Sequence, residues 1–193
     1  MMTAASVVIA YLIGSIPTGL WLGLWFRKTD IRQHGSRNIG ATNTLRVLGK
    51  GLGITALVCD ILKGVVPVLL AGRLSSWEYA PLVCGLAAIV GHVTSPFAGF
   101  KGGKGVATST GVFAALCPVP TVIAVVVFAI VVGATRMVSA GSVCAAGALT
   151  VAVFVFDFSM ALRILVTVAA VLVIVRHRTN LQRIVKGQEN KVF

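Results

Sequence analysis

The chain is a succession of apolar runs joined by short polar loops, and that alternation limits its possible folds more than any other feature. The runs cover residues 3–26, 52–71, 79–91, 106–116, 119–135, 138–156 and 158–175. Inside a bilayer no water is available to backbone N–H and C=O groups, so an open chain of this kind crosses as helices that satisfy themselves. Hydrophobic residues make up 57% of the sequence and charged residues 11%, against about 25% charged in a soluble domain. A soluble enzyme, a disordered chain and a disulfide scaffold are excluded on that balance. The expected fold is all-α, a polytopic membrane protein forming one integral-membrane domain over residues 1–193. The first run has no basic segment before it and is too long for a signal-peptide core, so it is expected to remain as a span.

A helix needs about 20 residues to cross a hydrocarbon core of about 30 Å, which makes the third and fourth runs short. Pro118 and Pro120 offer an alternative in which one kinked helix covers residues 106–135 and the spans number six. Charge decides between the two. With seven spans and the N-terminus outside, 14 of the 17 Lys and Arg residues face the cytoplasm, including Arg136 and the C-terminal tail. Merging the two runs would send Arg136 and the tail to the side opposite the first basic loop. The positive-inside rule therefore predicts seven transmembrane helices, an outside N-terminus and a cytoplasmic C-terminus.

Under this topology the second, fourth and sixth helices start at the cytoplasmic face, where their unpaired amides and positive dipole ends favour anions. Each start follows a polar loop. Residues 35–46 supply glycines, hydroxyls, amides and Arg46; residues 101–108 set Gly102 and Gly103 between Lys101 and Lys104; residues 136–142 add Arg136, Ser139 and Ser142. The tail brings Arg176, His177, Arg178 and Asn180 to the same face. Glycine-rich turns at helix starts suit phosphate. Topology accounts for Lys and Arg, and glycines also serve helix packing, but neither requires Asn, Ser and Thr beside them. His92 reads as a structural histidine orienting the loop after it. Asp60 and Lys63 lie three apart in the second span, hence on one helical face, where the cost of membrane burial predicts a structural ion pair.

Several familiar chemistries do not fit. Position 98 is Ala, so Gly103-Lys104 lacks P-loop spacing, and no metal-hydrolase or serine-hydrolase motif is present. Cys59, Cys84, Cys117 and Cys144 lie in or beside apolar runs and read as small hydrophobes, without metal-ligand spacing. No metal, cofactor or nucleic-acid partner is expected. The five carboxylates are Asp30, Asp60, Glu78, Asp157 and Glu189, of which Glu78 and Asp157 fall on the outer face. Abundant anion binders with few bases suit a reaction between two phosphorylated substrates, one already activated, in which the protein supplies position and charge.

These residues resemble the membrane acyl-phosphate:glycerol-3-phosphate acyltransferases, the PlsY family of bacterial phospholipid synthesis. The similarity runs through Gly-Ser-x-Asn-x-Gly-Ala-Thr-Asn-x-x-Arg over 35–46, Asp60-x-x-Lys63-Gly64, Gly91-His92, residues 100–108, Ser139-x-x-Ser142, Asn180, Gly187 and Glu189. Arg37 departs from it, standing where the family pattern usually has Gly, so the turn there must accommodate a side chain. The resemblance implies a cytoplasmic site in the bacterial inner membrane, with acyl phosphate, glycerol 3-phosphate and membrane lipids as partners. It implies glycerol 3-phosphate on Arg46, Lys104, Ser142, His177 and Asn180, of which Lys104, Ser142, His177 and Asn180 are catalytic. Acyl phosphate would lie on Ser36, Asn38, Gly40, Thr42, Asn43 and the Gly102 and Gly103 amides. The glycerol 1-hydroxyl would attack the acyl carbonyl to give lysophosphatidic acid and phosphate, with the substrate's own phosphate taking the proton. The rival reading is a transporter or flippase for a phosphorylated solute or lipid, which would distribute polar groups through several spans. A lipid-binding structural protein is a third.

Overall fold

The computed structural model describes residues 2–192, and among these it is all-helical, with no strand. In chain order the helices are α1 (Met2–Ser15), α2 (Thr18–Arg27), α3 (Ala41–Leu48), α4 (Lys50–Leu74), α5 (Ala80–Val93), α6 (Val106–Leu116), α7 (Pro118–Thr135), α8 (Val138–Val155), α9 (Met160–Arg176) and α10 (Arg178–Val185). Short 3₁₀ turns occupy Ile31–Gln33 and Pro96–Ala98.

Each of the seven apolar runs contains helix, but not all of it is continuous. The first run is two helices bent by 45° at Ile16-Pro17, because Pro17 has no N–H to extend the ladder of α1. Beyond the last run, α9 and α10 bend by 57° at His177. Among the described residues, four helices are long and apolar enough to cross a membrane, or up to six if each bent pair is one span. With 11 residues, α6 rises only about 16 Å, roughly half the hydrocarbon core. Between the fourth and fifth runs, α6 stops at Leu116, Cys117 is non-helical at φ −146° and ψ 76°, and Pro118 opens α7.

Residues up to Leu116 form one compact unit and those from Cys117 another. In the first unit, α1 packs on α5 and α4 on α6 through small residues, the means by which membrane helices approach closely without a hydrophobic driving force. A Cβ on Gly14 would strike the Ala88 backbone, and one on Gly111 the Ile61 carbonyl. Asp60 and Lys63 are buried on α4 and form the expected ion pair, Nζ to Oδ1 at 2.7 Å. In the second unit, α8 packs between α7 and α9, and Gly141 lies against Phe128 and Val132. Exposed aliphatic stripes run along α4 (Ile54, Val58, Leu62, Val66, Leu69) and α7 (Val122, Val126, Ile130). Apolar stripes of that length belong against lipid.

Candidate active site

The loop before α3 is organised by one side chain. Asn43, 1% exposed, accepts from the Ser36 N–H at 2.8 Å and donates to the carbonyls of Ile31 at 2.9 Å and His34 at 3.2 Å. Both its donor positions are thereby used within the protein. Asn43, expected among the acyl-phosphate ligands, ties the loop together through these three bonds. Asn38 closes the next turn, accepting from Gly40 N–H at 2.9 Å. Gly40 caps α3, its carbonyl accepting from the amides of Asn43 and Thr44. Thr42 and Arg46, four apart on α3, share a half-exposed face opposite buried Asn43, Thr44 and Leu48. Ser36 and Asn38 are also half-exposed. Arg37 adopts φ +57°, the left-handed conformation that explains a usual glycine there.

The second loop folds back onto the end of α5. Gly102 N–H donates to Val93 O at 3.1 Å and Gly103 N–H to His92 O at 3.0 Å. These amides, expected to bind acyl phosphate, donate to backbone carbonyls that the end of α5 leaves open. Their glycines are needed for proximity: a Cβ on Gly103 would overlap the His92 ring at Nε2, and one on Gly102 the His92 carbonyl. His92 thus forms the floor of the loop. Gly105, at φ +87°, starts α6 by accepting from Ser109 N–H at 2.8 Å. Lys104 is half-exposed just before that start. Sequence reasoning missed the hydroxyls of Thr108 and Ser109, which are buried in the first turn of α6 without a hydrogen-bond partner among the described residues. Nothing in residue type marks them, since Ser and Thr usually return their protons to the helix backbone.

In the second unit, Ser139 and Ser142 lie one turn apart at the start of α8, and His177 and Asn180 one turn apart where α9 meets α10. All four are buried. His177 Nδ1 is 2.8 Å from Val173 O; a carbonyl only accepts, so Nδ1 carries the proton and Nε2 of the neutral ring is the acceptor. Ser142 Oγ returns to Val138 O at 2.8 Å. The hub is Glu189, which sequence reasoning counted among the carboxylates but gave no role. Its Oε1 accepts from Ser139 Oγ at 2.9 Å and Asn180 Nδ2 at 2.6 Å, and its Oε2 from Arg183 Nε at 2.8 Å. Burial pushes this carboxyl up, but the bonds from Asn180, Arg183 and Ser139 outweigh it and hold it below the ordinary range. Val192 N–H on Arg136 O, at 2.9 Å, fastens the returning tail.

Asp30 and Asp157 are also in ion pairs. Asp30 is lowered by its hydrogen bond from Arg32, with Nη2 on Oδ2 at 2.8 Å, and Asp157 pairs with Arg163. Glu78 is exposed in the turn beyond the far end of α4. Among the described residues, no group of three His, Cys, Asp or Glu residues could hold a metal ion.

The family model described as glycerol-3-phosphate acyltransferase matches residues 4–187. This chain belongs to the glycerol-3-phosphate acyltransferase family. The acyltransferase of Fusobacterium nucleatum is 44% identical over 185 residues, covering 96% of this chain and 95% of that protein. The acyltransferase of Trichlorobacter lovleyi is 47% identical over 182 residues, covering 94% and 93%. Among solved structures, the integral membrane glycerol 3-phosphate acyltransferase PlsY in its glycerol 3-phosphate form superposes with a TM-score of 0.94 at 35% identity, covering 99% of this chain and 96% of that one. Its lysophosphatidic acid form gives 0.91 at 34%, covering 99% and 95%. The acyltransferase family therefore accounts for the loops and for the integral-membrane character together.

Proposed function

We propose that this protein is a membrane acyltransferase that moves an acyl group from acyl phosphate to the 1-hydroxyl of glycerol 3-phosphate, releasing lysophosphatidic acid and phosphate. One observation carries the reading: likeness over 99% of the chain to an acyltransferase described in both a glycerol 3-phosphate and a lysophosphatidic acid form. The rival transporter reading has no comparable support, because the polar residues gather in loops and helix starts.

In this reading the whole chain is one acyltransferase with seven spans, its N-terminus outside and its site facing the cytoplasm from the bacterial inner membrane. The basic loops support that orientation through the positive-inside rule. By resemblance to the family, Arg46, Lys104, Ser142, His177 and Asn180 are assigned to glycerol 3-phosphate, and Ser36, Asn38, Gly40 and Thr42 to acyl phosphate. Asn43, His92, Asp60 and Lys63 act by holding the scaffold.

The 1-hydroxyl oxygen attacks the acyl carbonyl, and the ester bond forms as the carbonyl–phosphate bond breaks. Phosphate leaves readily from a mixed anhydride, so no strong general acid is required. The hydroxyl proton passes to the phosphate of glycerol 3-phosphate itself, and Lys104 offsets the charge that develops. The committed state of the carboxylates supports this route, since Asp30, Asp60, Asp157 and Glu189 are each in an ion pair. The test is purified protein in detergent with glycerol 3-phosphate and either acyl phosphate or acyl-CoA. Lysophosphatidic acid from acyl phosphate alone is expected. Product from acyl-CoA alone, or none from either, overturns the proposal.

A further inference from the structure

Ending α1 at Ser15 leaves the carbonyl of buried Ser15 outside the helix ladder, where an unpaired polar group is costly, and that of half-buried Ile16 beside it, accepting from Thr18 N–H at 3.0 Å. Each receives a side chain from a distant part of the first unit. Ser95 Oγ donates to Ser15 O. Lys63 Nζ donates to Ile16 O at 2.7 Å while its charge is met by Asp60. The Tyr11 hydroxyl donates to Thr94 O at 3.1 Å, and a Cβ on Gly91 would crowd Ser15 Oγ at 2.9 Å. The break is therefore gripped from α4 and from the end of α5 at once.

Both phosphate-type loops are built out from this point. On one side α2 lies flush with the first loop: a Cβ on Gly19 would meet Thr44 Oγ1 and Ile39 O. On the other side, Ser95 O accepts from Ala98 N–H at 3.1 Å and Phe100 N–H at 2.8 Å, forming the turn that delivers Lys101. The amides of Gly102 and Gly103 then return to Val93 and His92. Shifting the break would move α2 with the first loop, and releasing Ser95 would detach the base of the second.

We propose that the α1–α2 break is a joint that sets the spacing of the two loops, and that Lys63 and Ser95 are positioning residues for the two substrates those loops hold. The spacing follows from geometry alone; the ligand rests on the acyltransferase reading.

Two variants test it. Ser95→Ala removes one grip, and Asp60→Val with Lys63→Met removes the other while replacing a buried ion pair by apolar groups of similar size, a change that proteins often tolerate. A third, Asp60→Asn with Lys63→Gln, discards the charges but keeps an amide donor for Ile16 O. In detergent-purified protein, the first two are expected to raise KM for acyl phosphate or for glycerol 3-phosphate about fivefold to tenfold with kcat within about twofold of the parent. The third is expected to return KM to within about twofold. Folded variants with unchanged KM, or ones that lose only thermal stability, overturn the proposal. Spin labels at Gln33 and Phe100, in a background with the native cysteines replaced by alanine, read the loop spacing without any substrate. A broadened or shifted distance in the first two variants supports the joint even if the parent does not use acyl phosphate; an unchanged distribution overturns it.

Discussion

Asn180 Nδ2 lies 2.6 Å from Glu189 Oε1, so a residue at the start of α10 is oriented by a carboxylate nine positions further along a returning tail. Ser139 and Arg183 bind the same carboxylate. Glu189 therefore joins the beginning of α8 to α10, and its charge is spent on structure.

Glu189→Gln is expected to lower the melting temperature by several degrees and turnover at least tenfold, because an amide turns N–H groups toward donors. Charged hydrogen bonds of this kind are worth about 1.5–3 kcal/mol each. The carboxyl sits below its ordinary value in the folded protein, so its stabilisation is fully present above the unfolded value. It is lost as pH falls through the lower folded value. Melting scans from neutral pH down to about pH 3 should show an acid slope that the Gln variant flattens. An identical slope in both proteins would remove Glu189 from the network.

Lys104→Ala is expected to reduce kcat/KM by about 10²–10³, the scale of losing one charge-stabilising donor, with the circular dichroism spectrum unchanged. Lys104→Arg should recover part of the loss. Steady-state kinetics at saturating acyl phosphate separate the two, and parental turnover in the Ala variant would take Lys104 out of the reaction.

Gly102→Ala and Gly103→Ala should both lose most activity, yet only the second should respond to a smaller residue at position 92. The obstruction at Gly103 is the His92 ring, whereas at Gly102 it is a backbone carbonyl that no substitution removes. Comparing each single variant with its His92→Ala double measures this. Equal recovery in both pairs would contradict the packing described.

Arg37→Gly is expected to stabilise the protein by about 1 kcal/mol, since a left-handed conformation costs an L-residue roughly 1–2 kcal/mol and Arg37 stands at φ +57°. Differential scanning fluorimetry in detergent should show a rise of a few degrees. A fall would mean that the Arg37 side chain contributes more than its backbone costs.

The apolar runs, the polar loops and the buried Asp60–Lys63 pair were legible because lipid constrains composition directly: a stretch without water must be apolar and helical, and charges within it must pair. The same logic could not find the break at Pro17 as a junction, since its partners Lys63 and Ser95 are 47 and 80 positions from the carbonyls they satisfy. Nor could it separate ligands from scaffold. Asn43 and the amides of Gly102 and Gly103 have the right chemistry for phosphate, but which acceptors claim their protons depends on what folds against them.

By itself, then, the order of residues determined an all-helical membrane chain and the loops in which its polar chemistry is concentrated, because burial in lipid acts on each segment separately. Tertiary structure alone decided how Glu189, Asn43, His92 and Lys63 are used. Ser139 for Glu189, Ile31 for Asn43 and Ile16 for Lys63 come within reach only when the chain folds, and a donor or acceptor has no role until its partner is in reach.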